Sequence, residues 1–554
     1  MPLIEDLLSR ENDLLKERML LDSLIGTINR YVTPYDFDPQ TRTMPGDERG
    51  QWILDGTAQD GLATASNTII SAIVPTDSRN FSLVPDDESL RLDDDVNTWY
   101  DQVSTIIFRY ISTSNIRTAA HPVVRDIYAK GTGCAFMALS ADQGKLLFRP
   151  YAMGSYVIAE NDEGVVDTIF RRSCMSLRNV KTLADKLGPR ASLSRNSQHQ
   201  LENNRLDDPV EILHCVYPRD TQLREVRGTT PPTEYPYASV WIERDNNHVI
   251  SEGGFFTCPY LVPRWNLYPG FPYGFSPLMN VLADVKTLNK LTECALKSVD
   301  LAVNPALIVS NREDLVKEGQ RFRIYPGRIL PMRDMQGLRP FEPGQKVDVA
   351  QIELMNLQNQ IRRGLGVDRM QIEPPSGDTQ RSATEIAHRI ATNNRQMGPG
   401  LSRLEDEFLE PTVLNTFVLL SQAGKLPAPP DAVIEAARGN MLGVGVRFEG
   451  SLSRQARQID LQAITNFYTI LQMIAQFKPE VLDLPDHDQM VREAAMAVGL
   501  GDSFMFPQPV VDQIRADRAE QQRQQALQQA MVQGAEIMNN IPERGQAQAP
   551  QRAA

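Results

Sequence analysis

The sequence predicts an α+β fold, in which helix-forming and strand-forming segments occupy separate stretches of the chain. Three observations support this prediction: helical spacing of apolar residues before residue 131, short β-branched and aromatic runs over residues 145–266, and helix-forming composition from residue 453 onward. With 554 residues, 41% of them hydrophobic and 23% charged, the chain is long enough for several domains or for one elongated subunit.

Four helices are predicted in the first part of the chain. Pro34 follows the first helix, and Gly131-Thr132-Gly133 ends the fourth. The third helix has an apolar side that includes Trp99 and Ile107. The four predicted helices cover residues 3–31, 57–73, 93–112 and 118–130.

Short strands are predicted next, because β-branched and aromatic runs alternate with turn residues. Residues 245–248, Asp-Asn-Asn-His, have the composition of a hairpin turn. The polar stretches 195–209 and 221–236 are predicted loops. The predicted strand-forming segments are 145–151, 155–160, 164–177, 211–218, 238–254 and 255–266.

A long helix is predicted between Ser276 and Pro305. Ser276 can accept hydrogen bonds from the free N–H groups of the first turn, Pro277 suits the first helical position, and Pro305 ends the helix. Such a helix is about 40 Å long at about 1.5 Å per residue. One face carries Lys286, Lys290 and Lys297, and an apolar stripe on another face consists of Leu278, Leu282, Val285, Leu288, Leu296 and Val299. Lysines on a surface helix are usually only solvated, so a contact with a polyanion remains one of two interpretations.

A small β-rich insertion follows this helix, with strands predicted at 305–310 and 321–332 and a short helix at 312–319. A second long helix is predicted over 348–365. The capping box Ser382-Ala383-Thr384-Glu385 opens a third, which Gly398-Pro399-Gly400 and Pro411 should bend or break. A late strand is predicted at 443–452.

Charge and cysteine usage exclude several classes of protein. The net charge of −13 excludes a protein that coats nucleic acid by bulk attraction. Five cysteines without a CxxC pair predict reduced thiols in a cytosol-like compartment. The acidic N-terminus is not a signal peptide, and no run of 18 apolar residues predicts a membrane span.

Motifs for catalysis, cofactors and metals are missing from the sequence. Gly144-Lys145 and Gly424-Lys425 lack the upstream glycine and the hydroxyl of a P-loop. Glu385 and His388 have metal-ligand spacing, but a helical di-metal site needs a second such pair. His214 and Cys215 are adjacent on a predicted strand and therefore point to opposite faces. We therefore predict no catalytic residues, no cofactor and no metal.

A series of ordered features extends over most of the chain. They are Arg30-Tyr31 before Pro34, Asp55-Gly56-Thr57, Val96-Asn97-Thr98-Trp99, Ser114-Asn115, Gly131-Thr132-Gly133, residues 212–219, Arg264-Trp265, Tyr273-Gly274-Phe275-Ser276-Pro277, Ser382-Ala383-Thr384-Glu385 and residues 401–411. In order and spacing, the set resembles the portal (head–tail connector) proteins of short-tailed, podovirus-type bacteriophages. One departure is Asn80-Phe81, where the resemblance leads us to expect Trp-Phe and where a core contact should be looser.

The resemblance implies a phage portal fold with an α/β wing, a two-helix stem, a small α/β clip and a helical C-terminal crown or barrel. The implied boundaries are 1–275 for the N-terminal part of the wing, 276–303 and 348–366 for the stem helices, 304–347 for the clip, 367–452 for the channel loop, long wing helix and late wing strand, and 453–554 for the crown or barrel with a disordered tail.

The resemblance also implies a homo-dodecameric ring around a channel for double-stranded DNA. By the resemblance, the loop 373–383 would lie at the narrowest part. Pro374 and Pro375 end the preceding helix and the capping box restarts a helix, so the residues themselves predict only a loop, and a surface turn far from the axis is the alternative. An acidic subunit repels DNA, while a few lysines per subunit centre the duplex through its backbone and without sequence recognition. The candidate channel residues are Lys286, Lys290, Lys297, Ser376, Asp378 and Arg381.

The implied clip is basic, with eight Arg and Lys against five Asp and Glu, although charge in a short region also varies by chance. A basic clip suits docking of the terminase large subunit before filling and of tail adaptor proteins afterwards. The candidate docking residues are Arg312, Lys317, Arg321, Arg323 and Arg328. Major capsid and scaffolding proteins are further implied partners, and a membrane is not.

The resulting prediction is a non-enzymatic structural protein of the virion, located at the capsid portal vertex and made in the host bacterial cytoplasm. The first alternative is another structural protein of the phage tail or internal core. The second is an enzyme whose site the motifs do not reveal, and hydrolysis of ATP or DNA by the purified protein would distinguish it.

Overall fold

A computed structural model describes residues 4–38, 48–74, 79–85, 93–140, 144–219, 234–303, 347–367, 399–437 and 444–448, together with three short strands between 307 and 340 and helical parts of 464–525. The chain divides into two compact units, residues 1–452 and 453–554. All elements and contacts described below belong to the first unit.

Four helices open the first unit, as the apolar spacing predicts. Asp93 accepts a hydrogen bond from the N–H of Asp95 and so caps the third helix. Gly131 ends the fourth in the left-handed conformation, with φ of 89°. The helices are α1 (Ile4–Tyr31), α2 (Thr57–Ile73), α3 (Asp94–Ser112) and α4 (Ile116–Lys130).

The strand-rich region is confirmed. Its strands, with one that precedes α3, are β1 (Phe81–Pro85), β2 (Cys134–Leu139), β3 (Leu146–Tyr151), β4 (Tyr156–Glu160), β5 (Val166–Ser176), β6 (Pro209–Pro218), β7 (Tyr237–Glu243), β8 (His248–Phe255) and β9 (Tyr260–Leu261). Strands β4 to β8 form an antiparallel sheet in chain order, and β2 pairs with both β3 and β9. The sequence did not predict β1 or β2.

Two further helices, α5 (Leu177–Leu187) and α6 (Arg195–Glu202), accompany the five-stranded sheet. The prediction of a loop over 195–209 is therefore wrong at its beginning. The buried carboxylate of Glu243, in β7, accepts from the N–H of Ser194 at 3.1 Å and from the hydroxyl of Ser197 at 2.8 Å. This negative charge stabilises the start of α6, and a distant strand supplies it.

The predicted pair of long helices around a β insertion is present. Helices α7 (Pro277–Val303) and α8 (Val347–Gly364) pack against each other. Between them in sequence, β10 (Leu307–Val309) pairs in parallel with β11 (Ile329–Pro331) and antiparallel with β12 (Arg339–Pro340). The predicted helix at 312–319 and the loop 373–383 lie outside the described residues.

The last long helix continues through Pro411 instead of breaking there. Residues 399–404 are helical, Glu405–Leu409 form a π-helical turn, and α9 (Glu410–Gln422) follows directly. The N–H of Glu410 binds the carbonyl of Glu405, five residues earlier. Proline lacks an N–H and excludes the carbonyl four residues before it, so the wider turn accommodates Pro411 inside the helix.

Helix α10 (Asp431–Ala437) and strand β13 (Val444–Phe448) complete the described elements of the first unit. Strand β13 pairs antiparallel with β1. Beside this sheet is a cleft lined by Asn80 and by apolar side chains of α2, α3, α4 and α9. Asn80, the departure from the expected tryptophan, is one of its lining residues, and the looser core contact stays a prediction.

Candidate functional site

The three lysines of α7 lie on one exposed face, as predicted. Lys290 binds Glu293 at 2.8 Å, and Lys297 binds the same carboxylate. These two hydrogen bonds lower the pKa of Glu293 to about 2, and the bond to Glu293 raises the pKa of Lys290. Lys286 is exposed and has no carboxylate partner among the described residues. Glu293 therefore offsets one of the three positive charges, an effect that the lysine spacing alone does not show.

The apolar stripe of α7 is buried in its first half and exposed in its second. Leu278, Val285 and Leu288 are at most 2% exposed. Leu296 and Val299, which continue the same stripe, are 55% and 52% exposed. Within the described part of the chain, nothing covers the second half of this stripe.

Helix α8 also has an inner and an outer apolar side. Leu357 and Ile361 are buried, whereas Ile352 and Met355 are 60% and 52% exposed. Because each helical residue turns by about 100°, Ile352 and Met355 lie far around the helix from Leu357. The α7–α8 pair thus carries two separate apolar surfaces that none of the described residues covers, the second-half stripe of α7 and the outer side of α8.

Close backbone contact fixes where α7 begins. Gly131 and Gly274 approach so closely that a Cβ on Gly131 would lie 2.1 Å from the Gly274 carbonyl oxygen. The hydroxyl of Thr132 accepts from the N–H of Gly274 at 2.9 Å. Ser276 caps α7 by accepting from the N–H of Met279, and its hydroxyl donates to a carbonyl at the end of α4. The Gly131 and Tyr273–Pro277 motifs therefore form one junction.

Arg264 lies at the same junction and is 1% exposed. Its side chain donates to both carboxylate oxygens of Glu407, the closest at 2.8 Å, and to Glu160 at 2.9 Å. It also donates to the carbonyls of Pro272 at 3.1 Å and Gly164 at 2.7 Å. All three guanidinium nitrogens are engaged, which compensates the cost of burying the charge.

Trp265 contacts the long helix next to Arg264. A Cβ on Gly400 would lie 2.8 Å from the Trp265 ring, so only glycine allows this approach. Arg403 donates to the carbonyl of Trp265 at 2.9 Å. On its other side, the ring packs edge-on against Tyr128, whose hydroxyl donates to the carbonyl of Leu365 beyond α8. The Arg264-Trp265 motif therefore joins α4, α7, α8 and the long helix.

Other predicted site residues lie outside the described part of the chain. These are the channel candidates Ser376, Asp378 and Arg381 and the clip candidates Arg312, Lys317, Arg321, Arg323 and Arg328. Glu385 and His388 lie outside it as well. Among the described residues, no group of three or more acidic, histidine or cysteine side chains could hold a metal ion. In the same residues, no helix combines the length and apolar character of a bilayer span.

His214 and Cys215 do not form a catalytic pair. The two His214 ring nitrogens contact the hydroxyls of Tyr260 at 2.7 Å and Ser239 at 3.0 Å, and the ring stacks on Trp241. Burial, and then the nearby Arg171 charge, lower the pKa of His214 well below its usual value. Burial also raises the pKa of the Cys215 thiol, which points into another core. All five cysteines are free, as predicted.

Comparison with known proteins gives long sequence matches. The model of the family described as "Bacteriophage head to tail connecting protein" matches residues 5–505. A portal protein of Salmonella phage epsilon15 is 25% identical over 548 residues, covering 97% of this chain and 95% of that protein. A probable portal protein of Bordetella phage BPP-1 is 27% identical over 539 residues, covering 95% of this chain and 92% of that protein.

Solved structures of gene transfer agent particles also match. A chain of the native virion has a TM-score of 0.29 and 12% identity, with 70% of this chain and 86% of that chain covered. A chain of the neck of an empty particle has a TM-score of 0.32 and 12% identity, with 74% of this chain and 88% of that chain covered. The assignment of the family depends on the sequence matches.

Proposed function

Because the chain belongs to the bacteriophage head-to-tail connecting protein family, we propose that it is the portal subunit of a phage particle. Twelve copies form a ring at one vertex of the capsid. Double-stranded DNA passes through the ring during packaging and ejection, without sequence recognition. The subunit performs no catalytic step and is part of the virion after synthesis in the host cytoplasm.

The uncovered apolar surfaces of α7 and α8 are the observation that carries this proposal. Large apolar side chains that a folded chain leaves in water, here on α7 and on α8, are typical of interaction sites when they lie close together on one helix side. Two different surfaces on one helix pair favour contact between the α7 stripe of one copy and the outer side of α8 of the next. A heterologous contact, which joins two different surfaces, generates a ring when the repeated rotation from one copy to the next returns to the first copy.

The exposed face of Lys286, Lys290 and Lys297 supports a channel role for α7. Each cation that neutralises a phosphate releases counterions and adds affinity, so a strongly basic wall would retain DNA. Here Glu293 offsets part of the charge. Repeated around a ring, the face centres the duplex while still allowing it to slide.

The remaining site assignments are proposals that the family resemblance supports. Ser376, Asp378 and Arg381 line the narrowest part of the channel. The clip residues Arg312, Lys317, Arg321, Arg323 and Arg328 receive the terminase large subunit and later the tail adaptors. The major capsid and scaffolding proteins are further partners. Ser376→Cys in a background without native cysteines should crosslink between subunits, and free labelling from outside a packed particle would contradict this position.

The mass of the native complex tests the ring. We expect a closed assembly of copies of the 62.1 kDa chain, visible as rings in end-on images. A single 62.1 kDa species would favour the alternative, a structural protein of the phage tail or internal core.

Replacing Lys286, Lys290 and Lys297 with Gln tests the channel face. The ring should still form, whereas packaging or retention of DNA should change, most strongly at low salt where screening is weak. The matched control replaces the exposed Lys16, Lys181 and Lys186 with Gln, which removes the same charge elsewhere. Equal effects of both variants, or loss of the ring in the first, would contradict a channel role.

A further inference from the structure

Two neighbouring residues hold the long helix at positions about two turns apart. Arg264 binds Glu407, and Trp265 packs against Gly400. The same pair is tied to the segment that leads into α7, since Arg264 donates to the carbonyl of Pro272. The direction of the long helix and the start of α7 therefore depend on one dipeptide.

The π-helical turn separates two parts of this helix that pack in different cores. On its N-terminal side, Leu404 belongs to the core shared by α2, α4, α7 and α8. On its C-terminal side, Val413 and Leu420 belong to a second core, with α3, β1 and β13. The additional residue of a π turn changes the helical phase, which lets a single helix satisfy both cores. Phe408 and Leu409, within the turn, lie in the same core as Leu404, so the helix passes from one core to the other at the C-terminal end of the turn.

Arg264 binds partners on both sides of the junction: its backbone N–H, Nε and one terminal nitrogen donate to Glu407, while its two terminal nitrogens also reach the other side. Without Glu407, its guanidinium would still bind Glu160 and the carbonyls of Gly164 and Pro272. Departure of Glu407 therefore does not leave a buried charge unpaired, which is the costly outcome for a buried ion pair. Arg264 stays with the sheet and the start of α7, and Glu407 is the partner that can leave.

We propose that Arg264 and Trp265 form a latch on the long helix, and that the π turn Glu405–Leu409 is its hinge. With the latch closed, residues 399–407 are fixed to the start of α7. With Glu407 released, this part turns at the hinge while α9 stays in its own core. The consequence for DNA passage rests on the proposed function, in which the long helix over 380–422 follows the channel loop 373–383.

Hydrogen exchange of the wild-type protein gives the first test. The amides of residues 399–409 should open independently of those in α9, so that the two stretches exchange at separate rates. A single cooperative opening of 399–422 at one rate would refute the hinge. This measurement needs no variant.

The variant Glu407→Gln tests the latch. Exchange in residues 399–409 should become about tenfold faster or more, because a charge-assisted, multiply bonded contact is weakened. Exchange in β5–β7 and in the second half of α9 should not change. The matched control is Glu252→Gln, which alters a similar site where Arg219 binds one carboxylate and two carbonyls. Unchanged exchange in 399–409, or an equal rise in the control, would overturn the latch.

Packaging by rings that contain Glu407→Gln tests the link to DNA. We expect assembled rings whose packaging or retention of DNA differs from that of wild type. Faster exchange with unchanged packaging would confirm the latch and refute its role in DNA passage. Absence of a ring in the wild-type protein would instead contradict the proposed function, and the exchange result would stand by itself.

Discussion

The first and second halves of α7 carry the same apolar stripe but have different surroundings. In the first half, Leu288 is buried in the core that α7 shares with α2, α4 and α8. In the second half, Leu296 has the same side chain on the same stripe and is 55% exposed. The spacing of apolar residues thus predicts which face of a helix will be covered, but it does not show whether the chain itself supplies the cover.

This difference is physically informative because apolar burial is roughly proportional to the area removed from water. The first half contributes to the stability of the single chain. The second half contributes to stability only when another surface is brought against it. The predictions that follow test this division and the lysine face of α7, from the largest expected effect to the smallest.

The largest effect is expected for Leu288→Ala. Removing a fully buried leucine side chain and leaving a cavity should reduce the free energy of unfolding by about 2–5 kcal/mol. Leu296→Ala makes the same chemical change eight positions later and should cost less than about 0.5 kcal/mol in the isolated chain. Urea denaturation of the dissociated chain measures both. Equal losses would mean that both halves are covered within one chain.

A smaller effect is expected where α8 meets the first half of α7. A Cβ on Gly364 would lie 2.2 Å from a methyl group of Val281. Gly364→Ala should therefore lower the free energy of unfolding by about 1–3 kcal/mol through overpacking. Adding Val281→Ala removes the methyl group that is struck, so the double variant should be more stable than additivity predicts. Simple additivity of the two losses would contradict this contact.

Substitutions in the second half of α7 should change the association of copies and not the stability of the single chain. Leu296→Ser with Val299→Ser should leave denaturation of the dissociated chain nearly unchanged and weaken association by about tenfold or more, since buried apolar contact between copies is lost. Analytical ultracentrifugation over a concentration series measures the association. Val165→Ser with Ile434→Ser is the control, because both residues are exposed away from α7. Unchanged association would show that the stripe is not an interface.

The smallest effect is expected on the lysine face, for Glu293→Gln. Losing this carboxylate frees Lys290 and Lys297, so the pKa of Lys290 should fall. In salt titrations of DNA retention by the ring, the slope of log affinity against log salt concentration should become steeper by about one. An unchanged slope would show that the face does not meet DNA.

The pH dependence of this lysine face follows from the sign of the Glu293 shift. Its folded pKa is depressed to about 2, so the pairing is present above the unfolded value and is lost only as the pH falls through about 2. Glu293 therefore does not titrate near pH 4. We expect DNA retention, measured across pH 4, to have the same pH dependence in the wild-type ring and in the Glu293→Gln ring.

Sequence alone determined the elements whose signals are local. The bounds of α2, α3 and α7 followed from apolar spacing, capping residues and prolines, because these act within a few residues of the helix end. The shared face of Lys286, Lys290 and Lys297 followed from helical geometry for the same reason. The family resemblance, which depends on ordered motifs, was confirmed by the match over residues 5–505.

Tertiary structure decided what depends on residues far apart in the chain. Helix α6 was missed because its sequence is almost entirely polar, and its start is held by the carboxylate of Glu243 from another strand in addition to the local cap of Ser194. The roles of Arg264 and Gly400 were also hidden, since Glu407 and Trp265 reach them only in the folded chain. The uncovered half of α7 has the same cause: periodicity records that a residue prefers burial, and only the arrangement of all the elements determines which surface buries it.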